Sequence, residues 1–321
     1  MLVLQLGLLF QTLVGAGYQV PSSIPVAPGQ VVPVLVTGLK TVLPATVQAQ
    51  AVPLPMSLAG ISVLLEQSLP AKSWRLPMFA VEQFSGCPGN VAADCLVTAV
   101  TVQIPYDIMV PNPRLLSPIP QGYSMLTITE NGVSGRPILV SPVYDRVHIL
   151  QSYDIGGRTE GGTSCFPLVT HAHGSLVLQD IRVNGGTQSH TEAQPGEVLV
   201  MYAFGLGEVT PAVTAGTLSP LPAAVATEPF YLRYDYAVNV APSMPQWEGP
   251  PTGKSQLQFV GLTPGQVGLY QINFVVPAPP VGTTVCGVAG ATSNLTISIL
   301  AVGSFSFDGA AICVDPGTAA P

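Results

Sequence analysis

Short apolar segments rich in β-branched and aromatic residues recur along the chain, bounded by Gly, Pro and Asn. In several of them apolar and polar positions alternate, which is typical of half-buried β-strands. No long segment has the 3.6-residue period of an amphipathic helix. The pattern therefore predicts an all-β fold made of β-sandwiches. The predicted strands lie in residues 31–36, 61–65, 96–104, 125–129, 137–140, 198–204, 230–240, 269–276 and 295–300.

One set of landmarks appears twice in the same order. Residues 26–39 (VAPGQVVPVLVTGL) return as residues 193–206 (AQPGEVLVMYAFGL). Pro fixes φ and Gly tolerates positive φ, so each Pro-Gly pair predicts the turn into a first strand. Each Gly-Leu pair predicts a tight bend where a side chain would clash with passing backbone. Each copy then has a strand that ends in proline and a late strand, at 100–105 and 272–277, and at 134–140 and 293–299.

This repeat predicts two tandem immunoglobulin-like β-sandwiches. Between them, His173-Gly174 and Asn184-Gly185-Gly186 are turn signals that predict a linking β-hairpin region. The predicted divisions are an N-terminal apolar segment at 1–23, sandwich 1 at 24–142, the linking region at 143–192, sandwich 2 at 193–302 and a C-terminal extension at 303–321.

The N-terminal apolar segment has two interpretations. Its alternation predicts a half-buried strand that either completes its own domain or docks on a neighbouring subunit by strand addition, and we favour the neighbour. Its length and its small residues are also typical of the core of a signal peptide, although the usual basic residues are missing. The segment is too short and too interrupted to predict a membrane span. The apolar residues on one parity are Leu2, Leu4, Leu6, Leu8 and Phe10.

Charged residues make up only 8% of the 321 residues, and the net charge is −7. Lys and Arg form no cluster, so neither nucleic acid nor an anionic membrane surface is a predicted partner. No charged residue precedes Lys40, and none lies between Lys254 and Asp308. A lone soluble sandwich needs charge on its outward faces. Either neutral polar residues cover this surface or other copies of the chain do.

The cysteines favour an extracellular or cell-surface location. Cys87 and Cys95 bracket a short loop, as in the disulfides of exported proteins. Cys286 and Cys313 form a second candidate pair, between the last strand and the C-terminal extension. Cys165 is left over, as a buried free thiol or an intermolecular link. The spacing leaves the connectivity open, and the lack of C-x-x-C disfavours structural zinc.

His171 and His173 are the candidate metal ligands, because residues two apart on a strand share a face. Cys165, Asp180 or His190 would have to supply a third ligand. The alternative is two polar residues on the solvated side of a hairpin. We favour that alternative because no carboxylate-rich surroundings accompany the pair, and we predict no metal site.

Aromatic residues offer a candidate glycan site at Tyr234, Tyr236 and Trp247. Tyr234 and Tyr236 share a parity with Phe230 and Leu232, which is also typical of a core or a subunit interface, and this second interpretation is the one we favour. No nucleophile elbow, P-loop, dinucleotide fingerprint or zinc-protease motif occurs. The sequence therefore predicts neither catalysis nor a cofactor.

Residues 194–216, 260–277 and 293–298 resemble a C-terminal domain family of uncharacterised proteins that is abundant in Acidobacteria, notably Solibacter. Residues 168–177 are similar to the Gly-Ser-Leu hairpin of that bacterial family, although His173 stands where Asp is more usual. The resemblance implies immunoglobulin-like sandwiches of secreted or surface proteins with no assigned activity. Here the domain makes up almost the whole chain, which suggests that it is itself the functional material.

These observations predict an exported, non-enzymatic structural protein. It would be a subunit of a self-assembling extracellular filament or surface layer, joined by strand addition and apolar contacts between domains. Its partner would be other copies of itself, and the mature protein would have no membrane span. The alternative is a secreted immunoglobulin-like module that binds carbohydrate or another surface polymer.

Overall fold

A computed structural model describes residues 23–85, 96–111, 123–152, 154, 166–177, 182–183, 186–187, 192–242, 256–288, 290–301 and 307–317. Within these ranges the protein is all-β, as predicted, with several sheets. None of the helical residues in the same ranges belongs to a helix long and apolar enough to cross a membrane.

The first ten strands precede residue 143. They are β1 (Ile24–Val26), β2 (Val31–Thr37), β3 (Val47–Gln48), β4 (Ile61–Ser68), β5 (Ala71–Arg75), β6 (Met78–Ser85), β7 (Leu96–Gln103), β8 (Ser124–Glu130), β9 (Val133–Ser134) and β10 (Ile138–Pro142). The later strands are β11 (His148–Ile149), β12 (Val169–His171), β13 (Arg182–Val183), β14 (Gly186–Thr187), β15 (Val198–Phe204), β16 (Val209–Thr210), β17 (Val225–Ala226), β18 (Phe230–Asp235), β19 (Leu257–Leu262), β20 (Tyr270–Val275), β21 (Leu295–Ala301) and β22 (Phe307–Ile312).

The chain folds into two compact units. Unit 1 contains the described residues up to Arg146, together with Gly205–Ala224 and Pro264–Gly268. Unit 2 contains Val147–Phe204, Val225–Thr263 and the described residues from Leu269 onward. Two segments of the second sequence copy therefore lie in unit 1, because the copies describe repeated strings and not compact bodies. The immunoglobulin-like topology and the predicted sandwich boundaries stay predictions.

Unit 1 is a sandwich of two sheets. One has the strand order β1-β10-β8-β4-β5, with β9 also paired to β8, and the other has the order β2-β7-β6-β3. In β4, alternate side chains from Ile61 to Gln67 are buried and those between them are more exposed, as expected for a strand with one core face. The core side chains from both sheets include Val34, Ile61, Val63, Leu65, Met78, Val81, Val100, Val102, Leu126 and Ile128.

Unit 2 also buries apolar rows from separate sheets. Strands β15, β20 and β19 are consecutive in one sheet, where β11 and β12 both pair with β15, and a second sheet has the order β18-β21-β22. In β15 and β20 the cross-strand pair Met201 and Ile272 is fully buried. Strand β21 lies between two neighbours, and nearly all of its side chains are buried. Other fully buried residues are Leu199, Ala203, Leu232, Tyr270, Phe274, Ile297 and Ile299.

The two predicted Pro-Gly turns are confirmed. In the first, Gln30 N donates to Ala27 O at 3.1 Å, and Gly29 has φ +69°. In the second, Glu197 N donates to Gln194 O at 3.0 Å, and Gly196 has φ +82°. Positive φ at the third turn position is what glycine supplies there.

The two Gly-Leu bends differ from each other. Gly38 and Gly205 both have positive φ, +82° and +77°. A Cβ on Gly205 would lie 2.1 Å from the carbonyl oxygen of Arg146, so the predicted clash with passing backbone is confirmed there. A Cβ on Gly38 would meet no atom within 4 Å, so the predicted clash is wrong at that position. There, only the backbone conformation favours glycine.

The turn predicted at His173-Gly174 is present. Gly174 N donates to His171 O at 2.9 Å, and His171 N donates to Ser175 O at 2.9 Å. Strands β13 and β14 pair on either side of residues 184–185, which lie outside the described residues.

Candidate functional site

Five exposed valines of unit 2 lie on two loops. One loop follows β18 and spans residues 236–242, and the other joins β20 to β21 and spans residues 277–293. Neither loop contains a charged residue. We call these valines the valine surface; each is at least 41% exposed, and they are Val238, Val240, Val281, Val285 and Val288.

Asn239 holds the two loops together. Its backbone N–H donates to Ser293 O at 3.0 Å, and its side-chain Nδ2 donates to Gly290 O at 3.0 Å. Its Oδ1 accepts from the backbone N–H of Thr292 at 2.7 Å. Asn239 has φ +56°, a conformation that Asn adopts more readily than most residues. The valines on either side of Asn239 are therefore fixed beside the second loop.

Asn294 ties the second loop to the end of the described chain. Its side chain is buried, and Nδ2 donates to Thr284 O at 2.9 Å and to Val314 O at 2.8 Å. Its Oδ1 accepts from Val314 N at 2.8 Å. A buried amide with these bonds satisfied orders both segments that it joins.

A disulfide between Cys286 and Cys313 fixes the same loop, so this predicted pair is present. The two Cα atoms are 6.0 Å apart, and 27 positions separate the residues. Both cysteines are buried, beside the exposed Val285 and Val288. The disulfide therefore links the second loop to the residue that follows β22. The other predicted pair, Cys87 and Cys95, and the leftover Cys165 lie outside the described residues.

The carboxylate of Glu192 lies near this disulfide. Among the described residues, one of its oxygens and the two sulfurs form a group of three ligand-type atoms within 4.8 Å of one another. Cysteine binds metal as a thiolate. With the sulfurs joined to each other, the group does not supply the thiolates of a metal site.

The tyrosines have separate roles. Phe230 and Leu232 are buried, but Tyr234, on the same parity at the end of β18, is 37% exposed. Tyr236 donates its hydroxyl to Pro277 O at 2.6 Å, at the start of the second loop. Burial, with a smaller effect of Tyr234, raises the pKa of Tyr236 to about 12. Tyr236 therefore joins the two loops that carry the valine surface. Trp247, the third candidate, lies outside the described residues.

His171 and His173 do not share an exposed face. His171 is buried in β12, and its Nδ1 lies 2.5 Å from Oε1 of Glu197. His173 is exposed in the turn, and its Nε2 lies 2.8 Å from the hydroxyl of Ser175. The two rings stack with centroids 5.3 Å apart. Solvation of both residues, the favoured prediction, is wrong for His171, because β12 pairs with β15 and packs that side chain inside.

Neither Glu197 nor its bond to His171 was predicted. Glu197 also accepts, through Oε2, from Gln194 N at 3.0 Å in the second Pro-Gly turn. The carboxylate therefore joins β12 to that turn. The candidate third ligands Cys165, Asp180 and His190 lie outside the described residues, so the absence of a metal site stays a prediction.

A second histidine site in unit 2 was not predicted at all. His148 Nε2 lies 3.1 Å from Oδ2 of Asp154, and Nδ1 lies 3.4 Å from Oδ2 of Asp308. Burial alone would lower the pKa of His148, but the hydrogen bonds with the two aspartates outweigh it and raise the pKa to about 9. Both ring nitrogens face carboxylates, so the group is a charged structural link between β11, β22 and residue 154.

The N-terminal assembly candidates Leu2, Leu4, Leu6, Leu8 and Phe10 lie outside the described residues. In comparisons with known proteins, no family model matches the chain and no curated protein is significantly similar to it. The resemblance to the Acidobacteria domain family therefore stays a prediction.

Proposed function

We propose that this protein is an exported, non-enzymatic structural protein whose copies assemble into an extracellular filament or surface layer. The observation that carries the proposal is the valine surface, which is exposed, free of charge and held by a disulfide. The two loops that carry these valines are joined by the hydrogen bonds of Asn239, and exposed apolar side chains grouped in this way are candidates for an interaction site. A disulfide supports an oxidising location such as the cell exterior.

The size of the valine surface implies that assembly needs a second contact. Burying a valine side chain gains roughly 1.5 kcal/mol, whereas association costs about 4–15 kcal/mol in lost freedom. Because the five valines are only partly exposed, their burial gains only a few kcal/mol, which lies at the low end of this cost. Strand addition by the N-terminal apolar segment of a neighbouring copy would add backbone hydrogen bonds and five large apolar side chains.

The histidine sites support a structural role. His148 is enclosed by two aspartates, and His171 lies against Glu197 within the fold. A general base needs a lone pair directed at a substrate. A protonated imidazole between two carboxylates has none, and its contribution is to join strands.

Negative-stain electron microscopy with size-exclusion chromatography tests the proposal. We expect the full chain to form fibres or sheets, and a variant lacking residues 1–18 to remain folded by circular dichroism but to lose assembly. A full chain that stays monomeric at every concentration would overturn the proposal. Unchanged assembly of the truncated variant would remove strand addition. Native material that begins after residue 18 would favour a signal peptide.

A second candidate function is binding of a surface polysaccharide. The observation in its favour is the exposed ring of Tyr234 at the end of β18, since exposed aromatic rings can stack on sugars. Binding of soluble polysaccharide by monomeric protein, lost in Tyr234→Ala and retained in Tyr123→Ala, would favour it. Tyr123 is a matched control because it is an exposed tyrosine of unit 1.

A further inference from the structure

The disulfide between Cys286 and Cys313 has a carboxylate as a close neighbour. An oxygen of Glu192 and the two sulfurs all lie within 4.8 Å of one another. The backbone fixes this contact. Ala193 N, directly after Glu192, donates to Cys313 O at 3.0 Å, and Asp315 N donates to Ala193 O at 2.9 Å. The carboxylate is therefore held beside the disulfide by the fold itself.

The surroundings of the disulfide are electronegative. Sγ of Cys313 lies 3.2 Å from the carbonyl oxygen of Thr292. No Lys or Arg follows Lys254 in the sequence, so the chain segments that carry the two cysteines have no basic side chain. A glutamate side chain is negatively charged at neutral pH. A further negative charge at either sulfur would be repelled over a short distance in a site that largely excludes water.

Reduction of the bond by a small thiol brings negative charge to this site. The attacking thiolate forms a new S–S bond with one cysteine, the original S–S bond breaks, and its electron pair leaves on the other sulfur, which takes a proton from water. A second thiolate then attacks the small thiol's sulfur in the mixed disulfide. It releases the first cysteine, which is protonated in the same way, and the two small thiols leave as their own disulfide.

The burial of the two sulfurs favours one order of attack. Cys286 is 7% exposed and Cys313 is 1% exposed, so an incoming thiolate reaches Cys286 first. The departing thiolate is then that of Cys313, which lies beside Glu192 and the Thr292 carbonyl. Both the attacking and the departing sulfur therefore carry negative charge close to a carboxylate.

We propose that the Glu192 carboxylate protects the Cys286–Cys313 disulfide from reduction by small thiols, because it repels both the attacking thiolate and the thiolate that departs. The bond between the second loop and the residue after β22 then persists where free thiols are present. This role goes beyond the proposed function, and it applies to a single copy of the chain as well as to an assembly.

Reduction kinetics with thiols of different charge test the protection. The full chain is incubated without denaturant with mercaptoethanesulfonate, which is anionic, or with cysteamine, whose ammonium group offsets the charge of its thiolate. Differential alkylation and peptide mapping follow Cys286 and Cys313 separately from the other cysteines. At equal thiolate concentration, the unmodified protein should react more slowly with mercaptoethanesulfonate. Glu192→Gln should raise the second-order rate constant about tenfold for mercaptoethanesulfonate and less than about threefold for cysteamine.

Two further variants separate charge from packing. Glu192→Asp keeps the charge and should retain most of the protection. Glu228→Gln is the matched control, because Glu228 is also a half-buried glutamate of unit 2 but does not belong to the group around the sulfurs. We expect this control to leave both rate constants unchanged.

Three results would overturn the proposal. These are equal rates with the two thiols in the unmodified protein, equal acceleration of both by Glu192→Gln, and a reduction rate that does not depend on thiol concentration. The last would show that the chain must unfold before the bond is attacked. A chain that stays monomeric but shows the charge-dependent rates would remove the proposed function and support the role of Glu192.

Discussion

The two copies of the Pro-Gly repeat form the same turn but are crowded at different places. In the first copy, a Cβ on Gly29 would lie 2.0 Å from Cε1 of Tyr106, whereas Gly38 at the strand end faces open space. In the second copy Gly196 faces open space, and Gly205 lies against the Arg146 carbonyl. The repeated string therefore encodes local turns. Residues distant in the sequence determine at which of these glycines a side chain would also clash with a neighbouring atom.

In both turns, the side chain of the fourth residue accepts a hydrogen bond from the backbone N–H of the first residue. The side chain of Gln30 accepts from Ala27 N at 2.9 Å, and that of Glu197 accepts from Gln194 N at 3.0 Å. The strand ends, in contrast, are held by different groups. Glu130 accepts from Lys40 N at 3.0 Å and Thr41 N at 2.7 Å after Gly38. At the end of β15, the corresponding strand of the second copy, Arg146 N donates to Gly205 O at 2.7 Å.

The largest expected effect distinguishes the two strand ends. Gly205→Ala adds a Cβ against the Arg146 carbonyl in a backbone conformation that disfavours alanine, and should lower the free energy of unfolding by about 4 kcal/mol. Gly38→Ala has only the conformational cost, about 1 kcal/mol. Urea unfolding followed by circular dichroism measures both. Equal losses would contradict the assigned crowding.

The disulfide of unit 2 should have the next largest effect. Closing a loop between cysteines that are 27 positions apart in the sequence stabilises by about 3.5 kcal/mol in a chain-entropy model. Cys286→Ala should therefore lower the unfolding free energy by about that amount and loosen the valine surface. Non-reducing peptide mapping provides the covalent check, and finding all five cysteines as thiols would refute both the bond and the exported location.

The turns themselves should respond unequally. Gly29→Ala forces the buried Tyr106 ring to move, so we expect a loss of about 3 kcal/mol. Gly196→Ala, in open space with similar φ, should cost about 1 kcal/mol. Differential scanning calorimetry compares them, and adding Tyr106→Leu to the Gly29 variant should recover part of its loss. No recovery would show that the ring is not the obstacle.

The smallest effect concerns pH and unit 2 alone, since all four histidines of the sequence lie within Val147–Phe204. The pKa of His148 is raised from 6.5 to about 9 in the folded protein. Its stabilising contribution is therefore complete below pH 6.5 and is lost as the pH rises through about 9. The difference in melting temperature between the unmodified protein and His148→Asn should shrink over this window. A constant difference would contradict the ion-pair assignment.

The residues that could be predicted are those whose signals are local. The alternating strands and the Pro-Gly turns follow from neighbouring residues. The Cys286–Cys313 pair could be proposed because the chain has only five cysteines. The partners of His148 and His171 could not be predicted, because Asp308 lies 160 positions beyond His148 and nothing local marks Glu197 as a ligand. Only three residues of the valine surface, Val281, Val285 and Val288, lie in the stretch between Lys254 and Asp308, which the sequence shows to be uncharged. Which valines of that stretch are exposed depends on how the loops pack.

Self-assembly is the central claim, and sedimentation velocity over a range of protein concentrations tests it most directly. The account predicts that the full chain, 33.3 kDa as a single copy, forms species of many times that mass. These species should disappear in Val238→Lys and persist in Val133→Lys. A single 33.3 kDa species at every concentration would contradict the account.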